Sequence, residues 1–282
     1  MSEQTMAGRT VLVTGASDGI GAETARVLAD RGATVHVTGR SADKLRPVAE
    51  AVGTEPLVAD FSRLDDVRRL AAQVGERVEG LDLLMNNAGG TFAPAATTHD
   101  GHEPNFQVNH LAPYLLTHLL RPQLAAAGSS LVVNTSSVGN LMGKIVLDDL
   151  DYEHRRAWEF PAYGTGKLMN IVFTRGIAQR WAADGVVSVA VHPGPVGSSF
   201  GRDSWLVGLA YRSPLKRFAT ISVPDGAAPL IALAERGPDP EINGRYFDRF
   251  KADGRERKQA SDQATIDGLW ERSAALVGLS AD

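Results

Sequence analysis

Short apolar runs alternate with longer amphipathic stretches along this chain, and that alternation predicts a parallel α/β fold. The run Thr10 to Val13 reads as a first strand, followed by an amphipathic helix from about Ile20 to Asp30, with Gly32 as its C-terminal cap. Thr34 to Thr38 is a second strand, and Ser41 is placed to cap a helix over Asp43 to Val52. Pro56 to Ala59 makes a third strand before a helix from Asp65 to Val78, whose first turn is acidic, as the helix dipole favours. Leu81 to Met85, Leu131 to Asn134 and Val186 to Val191 are strands four to six. Helices are expected over Phe106 to Leu120 and Tyr163 to Ala183, then near Gly226 to Ala234 and Ser261 to Val277, with a strand at Tyr246 to Phe250.

No repeat, linker or low-complexity tract interrupts this pattern, so the 282 residues are expected to form one doubly wound domain spanning 1–282. The segment 198–224 breaks the pattern. It sets Phe200, Trp205, Leu206, Val207, Tyr211, Leu215 and Phe218 among Gly, Arg and Ser, as a substrate-binding loop would; a helical excursion packed on the surface is the other reading.

Composition narrows the function. With 29 basic and 33 acidic residues the net charge is −4, which argues against sequence-independent nucleic-acid binding. The absence of cysteine excludes a disulfide framework, a thiolate zinc site and a cysteine nucleophile. Met1 to Gly8 carries no signal-peptide pattern, and no apolar run approaches the roughly 18 to 20 residues of a membrane span. A cytoplasmic protein without a membrane partner is expected. His99 and His102 flank Asp100-Gly101 in a loop, without a clustered ligand set, so no metal site is assigned.

The most informative local pattern is a strand, then Thr14-Gly15-Ala16-Ser17-Asp18-Gly19-Ile20-Gly21, then a helix. Glycines let the backbone turn sharply off the strand and come close to phosphate oxygens, while free N–H groups at the helix start attract the anion. The spacing is Gly-x-x-x-Gly-x-Gly, and it resembles the cofactor turn of the short-chain dehydrogenase/reductase family. Further landmarks follow in that family's order: Asn86-Asn87-Ala88-Gly89, Asn134-Thr135-Ser136-Ser137, Tyr163-Gly164-Thr165-Gly166-Lys167, and His192-Pro193-Gly194-Pro195-Val196-Gly197-Ser198, where Ser198 stands in place of the usual Thr. The resemblance covers roughly residues 8–250. It implies a Rossmann-like doubly wound parallel sheet in three α/β/α layers. It also implies an oxidoreductase that moves hydride between a nicotinamide cofactor and a carbonyl or alcohol carbon.

By that resemblance the cofactor is held by Gly15, Ser17, Asp18, Gly19, Ile20 and Gly21, by Asn87, Ala88 and Gly89, by Tyr163 and Lys167, and by Pro193, Gly194, Val196 and Ser198. Asp60 and Phe61 resemble the adenine position. At the end of the second strand an NAD enzyme typically places a carboxylate for the ribose hydroxyls. Here Arg40 and Ser41 follow Gly39, and a guanidinium offers forked donors to a 2′-phosphate, so NADP(H) is expected over NAD(H).

Tyr163 and Lys167, four apart, share a helical face. Bringing a tyrosine from about 10 to near neutrality takes about 4 kcal/mol of differential stabilisation, which nearby positive charge can supply. In the family pattern Tyr163 is the general acid or base, Ser137 orients the substrate oxygen, Lys167 tunes Tyr163, and Asn109 supports a water-mediated proton path. Strand alternation points Ser136 the other way. Twenty-five residues separate Ser137 from Tyr163, and this insert, with Val108 to Thr117 and Gly244 to Phe247, is similar to the retinol-dehydrogenase-like branch. The expected substrate is a mostly apolar, carbonyl-bearing small molecule. Family resemblance also implies a homo-oligomer, with the helices near Phe106 and Tyr163 as candidate contacts, although their Ala, Leu and Met could equally be core. The rival functions are an NADP(H)-sensing binding protein and an oligomeric scaffold; the set Asn109, Ser137, Tyr163 and Lys167 argues against the sensor, which needs no proton donor.

Overall fold

The computed structural model describes residues 6–93, 96–195 and 221–280. Within them one sheet carries the strands β1 (Thr10–Thr14), β2 (Thr34–Gly39), β3 (Leu57–Val58), β4 (Leu83–Asn86), β5 (Ser130–Thr135), β6 (Val186–His192), β7 (Tyr246–Asp248) and β8 (Lys251–Ala252). Their order is β3-β2-β1-β4-β5-β6-β7-β8, parallel throughout except for the β7–β8 hairpin. The sheet grows outward from β1 in both directions, so the strand order reverses between β1 and β4, and a crevice opens there at the carboxyl ends. This is the doubly wound α/β architecture that the pattern predicts.

Alternation along the strands feeds two cores. Val11 and Val13 of β1 join Val35, Val37, Leu83, Met85, Val133 and Val189 under one helical layer, α1 (Gly19–Asp30), α2 (Ala42–Val52) and a later helix at Val223–Arg236. Leu12, between them, points to the opposite core with Leu84, Val132 and Val186. That second layer contains α3 (Leu64–Arg77), α4 over 104–119, α5 (Arg121–Ala126), α6 (Glu159–Arg180) and, past α7 (Val223–Arg236), α8 (Gln263–Val277). Gly32 ends α1 as expected: at φ +94 it donates to the Ala29 carbonyl, and Ala33 donates to that of Leu28.

Several boundaries depart from expectation, each for a physical reason. Ser41 sits at the N-cap of α2, but its hydroxyl makes no capping bond. The strand expected at Tyr246 to Phe250 ends at Asp248, because Arg249 takes a left-handed φ of 55 and turns the chain back into β8. Within α4, Gln107–Leu111 is a π-helical turn. Pro113 has no N–H for the carbonyl of Asn109, four residues earlier, and the wider turn accommodates its ring. α6 starts a full turn early, at Glu159, with Pro161 tolerated in its first turn.

The helices expected to meet a second copy are interior in this chain. Residues 162–174 of α6 are buried at every position, and α8 covers the outer side of α6 and α4. Trp270 of α8 lies flat on Gly176, where a Cβ would stand 2.7 Å from Cε3. Its ring centroid is 5.5 Å from Tyr114, 4.7 Å from His118 and 5.6 Å from Trp181, and its carbonyl accepts from the Tyr114 hydroxyl at 3.0 Å. Burial pushes His110 down to about 3 and His118 to about 4, so both enter this aromatic cluster as neutral rings. Trp270→Ala is expected to lower unfolding stability by about 3–5 kcal/mol, measured by urea denaturation, as for other large buried aromatic side chains.

Candidate active site

The glycine turn is lashed to the end of β4 by main-chain and hydroxyl bonds. Thr14 Oγ1 donates to the Met85 carbonyl at 3.1 Å and accepts from the N–H groups of Asn87 at 3.0 Å and Ala88 at 2.9 Å. Asn87 Nδ2 returns a bond to the Thr14 carbonyl at 2.9 Å. Gly15, at φ +66, lies so close that a Cβ would stand 2.7 Å from Ala88 Cα, and one on Gly21 would collide with Asn87 Nδ2. The side chain of Asn87 is therefore committed to holding the turn. Asp18 caps α1 by accepting from the Gly19 N–H at 2.8 Å.

At the end of β2 the Ser17 hydroxyl is buried and has no hydrogen-bond partner among the described residues. A Cβ on Gly39 would collide with it, and Arg40 and Ser41 follow directly. A buried hydroxyl without a partner among the described residues, at the N-terminus of a helix, fits a nicotinamide dinucleotide. Asp60 accepts from Ser62 N–H at 2.9 Å and Ser62 Oγ at 2.8 Å through one oxygen. Phe61 buries its ring in the core and its carbonyl accepts from Gln107 Nε2 at 3.1 Å, so of this pair Asp60 keeps the polar side chain.

Ser137 leaves the end of β5, and its Oγ accepts from the Gly139 N–H at 3.1 Å. A Cβ on Gly139 would stand 3.1 Å from Tyr163 Cε1 and 3.4 Å from Ser137 Oγ. The serine hydroxyl and the tyrosine ring therefore both lie within 3.4 Å of one point, the Cβ position of Gly139. Ser136 points away, as alternation predicts, and donates to the Lys167 carbonyl at 2.7 Å. Lys167 Nζ is fully buried, donates to the Thr135 carbonyl at 3.2 Å and lies 5.7 Å from the Tyr163 ring centroid. Burial pushes the ammonium down to about 7.

Gly89 closes this pocket: a Cβ there would stand 3.0 Å from Lys167 Nζ and collide with Asn109 Oδ1. Asn109 spends its amide on the loop, donating to the carbonyls of Gly90 at 2.9 Å and Asn105 at 3.0 Å and accepting from the Gly90 N–H at 3.0 Å. Pro113, four residues on, has no N–H to give the Asn109 main-chain carbonyl. Pro193 and Gly194 follow β6, Gly194 at φ +105. Val196, Ser198 and most of the loop expected at 198–224 lie outside the described residues.

The insert before Tyr163 carries contacts that sequence reasoning missed. His102 Nδ1 pairs with Asp151 at 2.9 Å, which holds the imidazole above its ordinary value, and Asp151 also accepts from the Glu103 N–H at 3.0 Å. The Glu103 carboxylate, pushed up by burial, caps α4 by accepting from Phe106 N–H at 2.7 Å. Tyr152 donates to Thr165 Oγ1 at 2.8 Å, under the guanidinium of Arg155, 3.9 Å from its ring centroid. The insert thus ties the start of α4 to α6 beside Tyr163. Partners 49 residues apart leave no spacing signal in the sequence. Among the described residues no cluster of three metal-ligating side chains occurs, and no helix is long and apolar enough to cross a membrane.

Comparison with known proteins agrees with this geometry. The family model for short chain dehydrogenases matches residues 9–205. Human retinol dehydrogenase 13 is 35% identical over 291 residues, covering 99% of this chain and 88% of that protein. The crystal structure of an uncharacterized protein from Mycobacterium paratuberculosis superposes with a TM-score of 0.79 at 31% identity, covering 100% of this chain and 97% of that one. A candidate NAD(P)-dependent gluconate 5-dehydrogenase from Beutenbergia cavernae, with NADP bound at low occupancy, gives a TM-score of 0.67 at 26% identity, covering 88% and 97%. The chain belongs to the short-chain dehydrogenase family. It is an oxidoreductase of the kind that acts on alcohol and carbonyl groups with a nicotinamide cofactor, and it resembles the retinol-dehydrogenase-like branch.

The depressed lysine has a consequence for stability. An amine held near 7 in the folded chain and near about 10.4 when unfolded makes unfolding take up protons between those values. Stability of the cofactor-free protein should therefore rise as pH climbs from about 7 towards about 10, and Lys167→Met should remove that rise. Urea denaturation of both proteins across that range checks it; parallel profiles would assign the slope to other groups.

Proposed function

We propose that this protein is an NADP(H)-dependent oxidoreductase acting on a carbonyl or alcohol carbon of a mostly apolar small molecule, with Tyr163 as general acid or base. The observation that carries the reading is the approach of Ser137 Oγ and the Tyr163 ring to the same Cβ position of Gly139, with the buried amine of Lys167 5.7 Å from that ring. A bound nicotinamide supplies or accepts the hydride. Ser137 donates to the substrate oxygen as charge develops there, and Tyr163 passes its proton to that oxygen in reduction or takes it in oxidation. Hydroxyls that accept from Lys167 Nζ favour its charged form against burial, and that charge lowers the cost of the tyrosinate. The carbonyl of Asn109 offers a water-bound route from Lys167.

The phosphate preference rests on the unpartnered Ser17 hydroxyl and on Arg40 and Ser41 where a ribose-binding acid would otherwise stand. Substrate polarity rests on the apolar side chains exposed next to the reacting groups: Val138 after Ser137, Met142 one turn on, and Phe160 three residues before Tyr163.

Titration with NADPH and NADH, followed by nicotinamide fluorescence, tests the cofactor. A charge-assisted bond is worth about 1.5–3 kcal/mol, so NADPH should bind about 10- to 100-fold tighter than NADH and Arg40→Ala should erase the difference. Equal affinities in the wild type would overturn the phosphate preference. For the chemistry, Tyr163→Phe should lower kcat for aldehydes and ketones by about 100- to 10,000-fold in a protein that still binds NADPH. Retained turnover would remove Tyr163 from the proton transfer, and a wild type that binds NADPH but turns over no carbonyl would favour a sensor.

A further inference from the structure

The far edge of the sheet presents a cation that the fold leaves unmatched. Around it, arginines find acids: Arg245 with Asp253 at 2.9 Å and Arg175 with Glu256 at 2.8 Å. Arg249, in the two-residue turn between β7 and β8, has no hydrogen-bond or ion-pair partner for its guanidinium among the described residues, and its Nε is shut off from solvent. Asp248, next to it in the chain, forms no ion pair with it, and the nearby His192 is held neutral by burial.

The backbone at Arg249 is also costly. Its φ of 55 lies in the left-handed region, at a hairpin position where glycine is the favoured occupant. A bond from its N–H to the His192 carbonyl at 2.9 Å holds it there. Strain of this kind, retained for a bulky cationic side chain, points to use of that side chain.

Its position says what could use it. Arg249 Cδ and Nε would stand 3.6 and 3.7 Å from a Cβ on Gly194, at the carboxyl end of β6 and on the catalytic side of the sheet. β7 lies two strands from β5, about 10 Å from the Ser137 position, and four strands from β1, about 19 Å from the glycine turn. A phosphate seated on α1 is out of its reach, whereas a molecule reacting at Ser137 and Tyr163 can extend to it. The ring of Phe250, 58% exposed and 5.8 Å from the guanidinium carbon, adds an apolar wall on the same turn.

We propose that Arg249 is a specificity-determining residue that binds a carboxylate at the end of an otherwise apolar substrate, on the order of 10 Å from the carbon that exchanges hydride. The proposal rests on the enzyme reading above, so its test reads binding rather than turnover. Decanoate and decanol are titrated calorimetrically into the NADPH-saturated protein. Decanoate should bind at least about tenfold tighter than decanol, and Arg249→Gly should raise the decanoate Kd at least about tenfold without changing that of decanol or NADPH. Because glycine suits the positive φ, Arg249→Gly should keep or raise Tm, which separates lost recognition from lost folding. Arg249→Lys should recover part of the decanoate affinity. Decanoate that binds wild type and Arg249→Gly equally, or does not bind wild type, overturns the proposal. Arg249-dependent binding in a protein that turns over no carbonyl would instead count against the function proposed above.

Discussion

The buried amine of Lys167 is the constraint on which the rest of the site depends. A lysine that is 2% exposed and holds one carbonyl bond is an expensive group, and the surrounding residues are those that permit it. Gly89 must lack a side chain to let it in. Ser136 fixes its backbone from β5, and Asn170, one turn on, shares the Thr135 carbonyl at 3.0 Å. The residues between Tyr163 and Lys167 matter as much as the pair. A Cβ on Gly166 would stand 2.7 Å from the Asn105 carbonyl, and one on Gly164 would collide with that of Gly139. These glycines let α6 settle against α4 and the turn after β5, and that close approach brings Tyr163 to Ser137.

Most of this was legible because it rests on local chemistry. Parallel strands buried on both faces leave short apolar runs, and Val11, Leu12 and Val13 feeding alternate cores show why no polar residue stands between Thr10 and Thr14. The glycine turn and the Tyr-x-x-x-Lys spacing are also local, and they are among the motifs that carry the family resemblance. What stayed hidden depends on distant partners. Trp270 finds its seat on Gly176 from almost a hundred residues away, and nothing in the pattern of α6 says which chain would cover it. Asn109 stands out in the sequence, but the use of its amide on Gly90 and Asn105 and the π turn in which it sits leave no mark in a smooth helical pattern.

The insert shows how a stretch without a strong pattern can act through its contacts. Tyr152 is held at a left-handed φ of 60, packed under Arg155, with its hydroxyl on Thr165 between Tyr163 and Lys167. Asp151 holds the chain before α4 through His102 and Glu103, and α4 carries Asn109. One short segment therefore braces both α4, which carries Asn109, and α6, which carries Tyr163 and Lys167. Its ion pair is half-buried and reaches across the molecule, so its value lies in positioning more than in net stability. A long spacing between Ser137 and Tyr163 is in this chain a brace, and it leaves Val138, Met142 and Phe160 exposed around the two residues it separates.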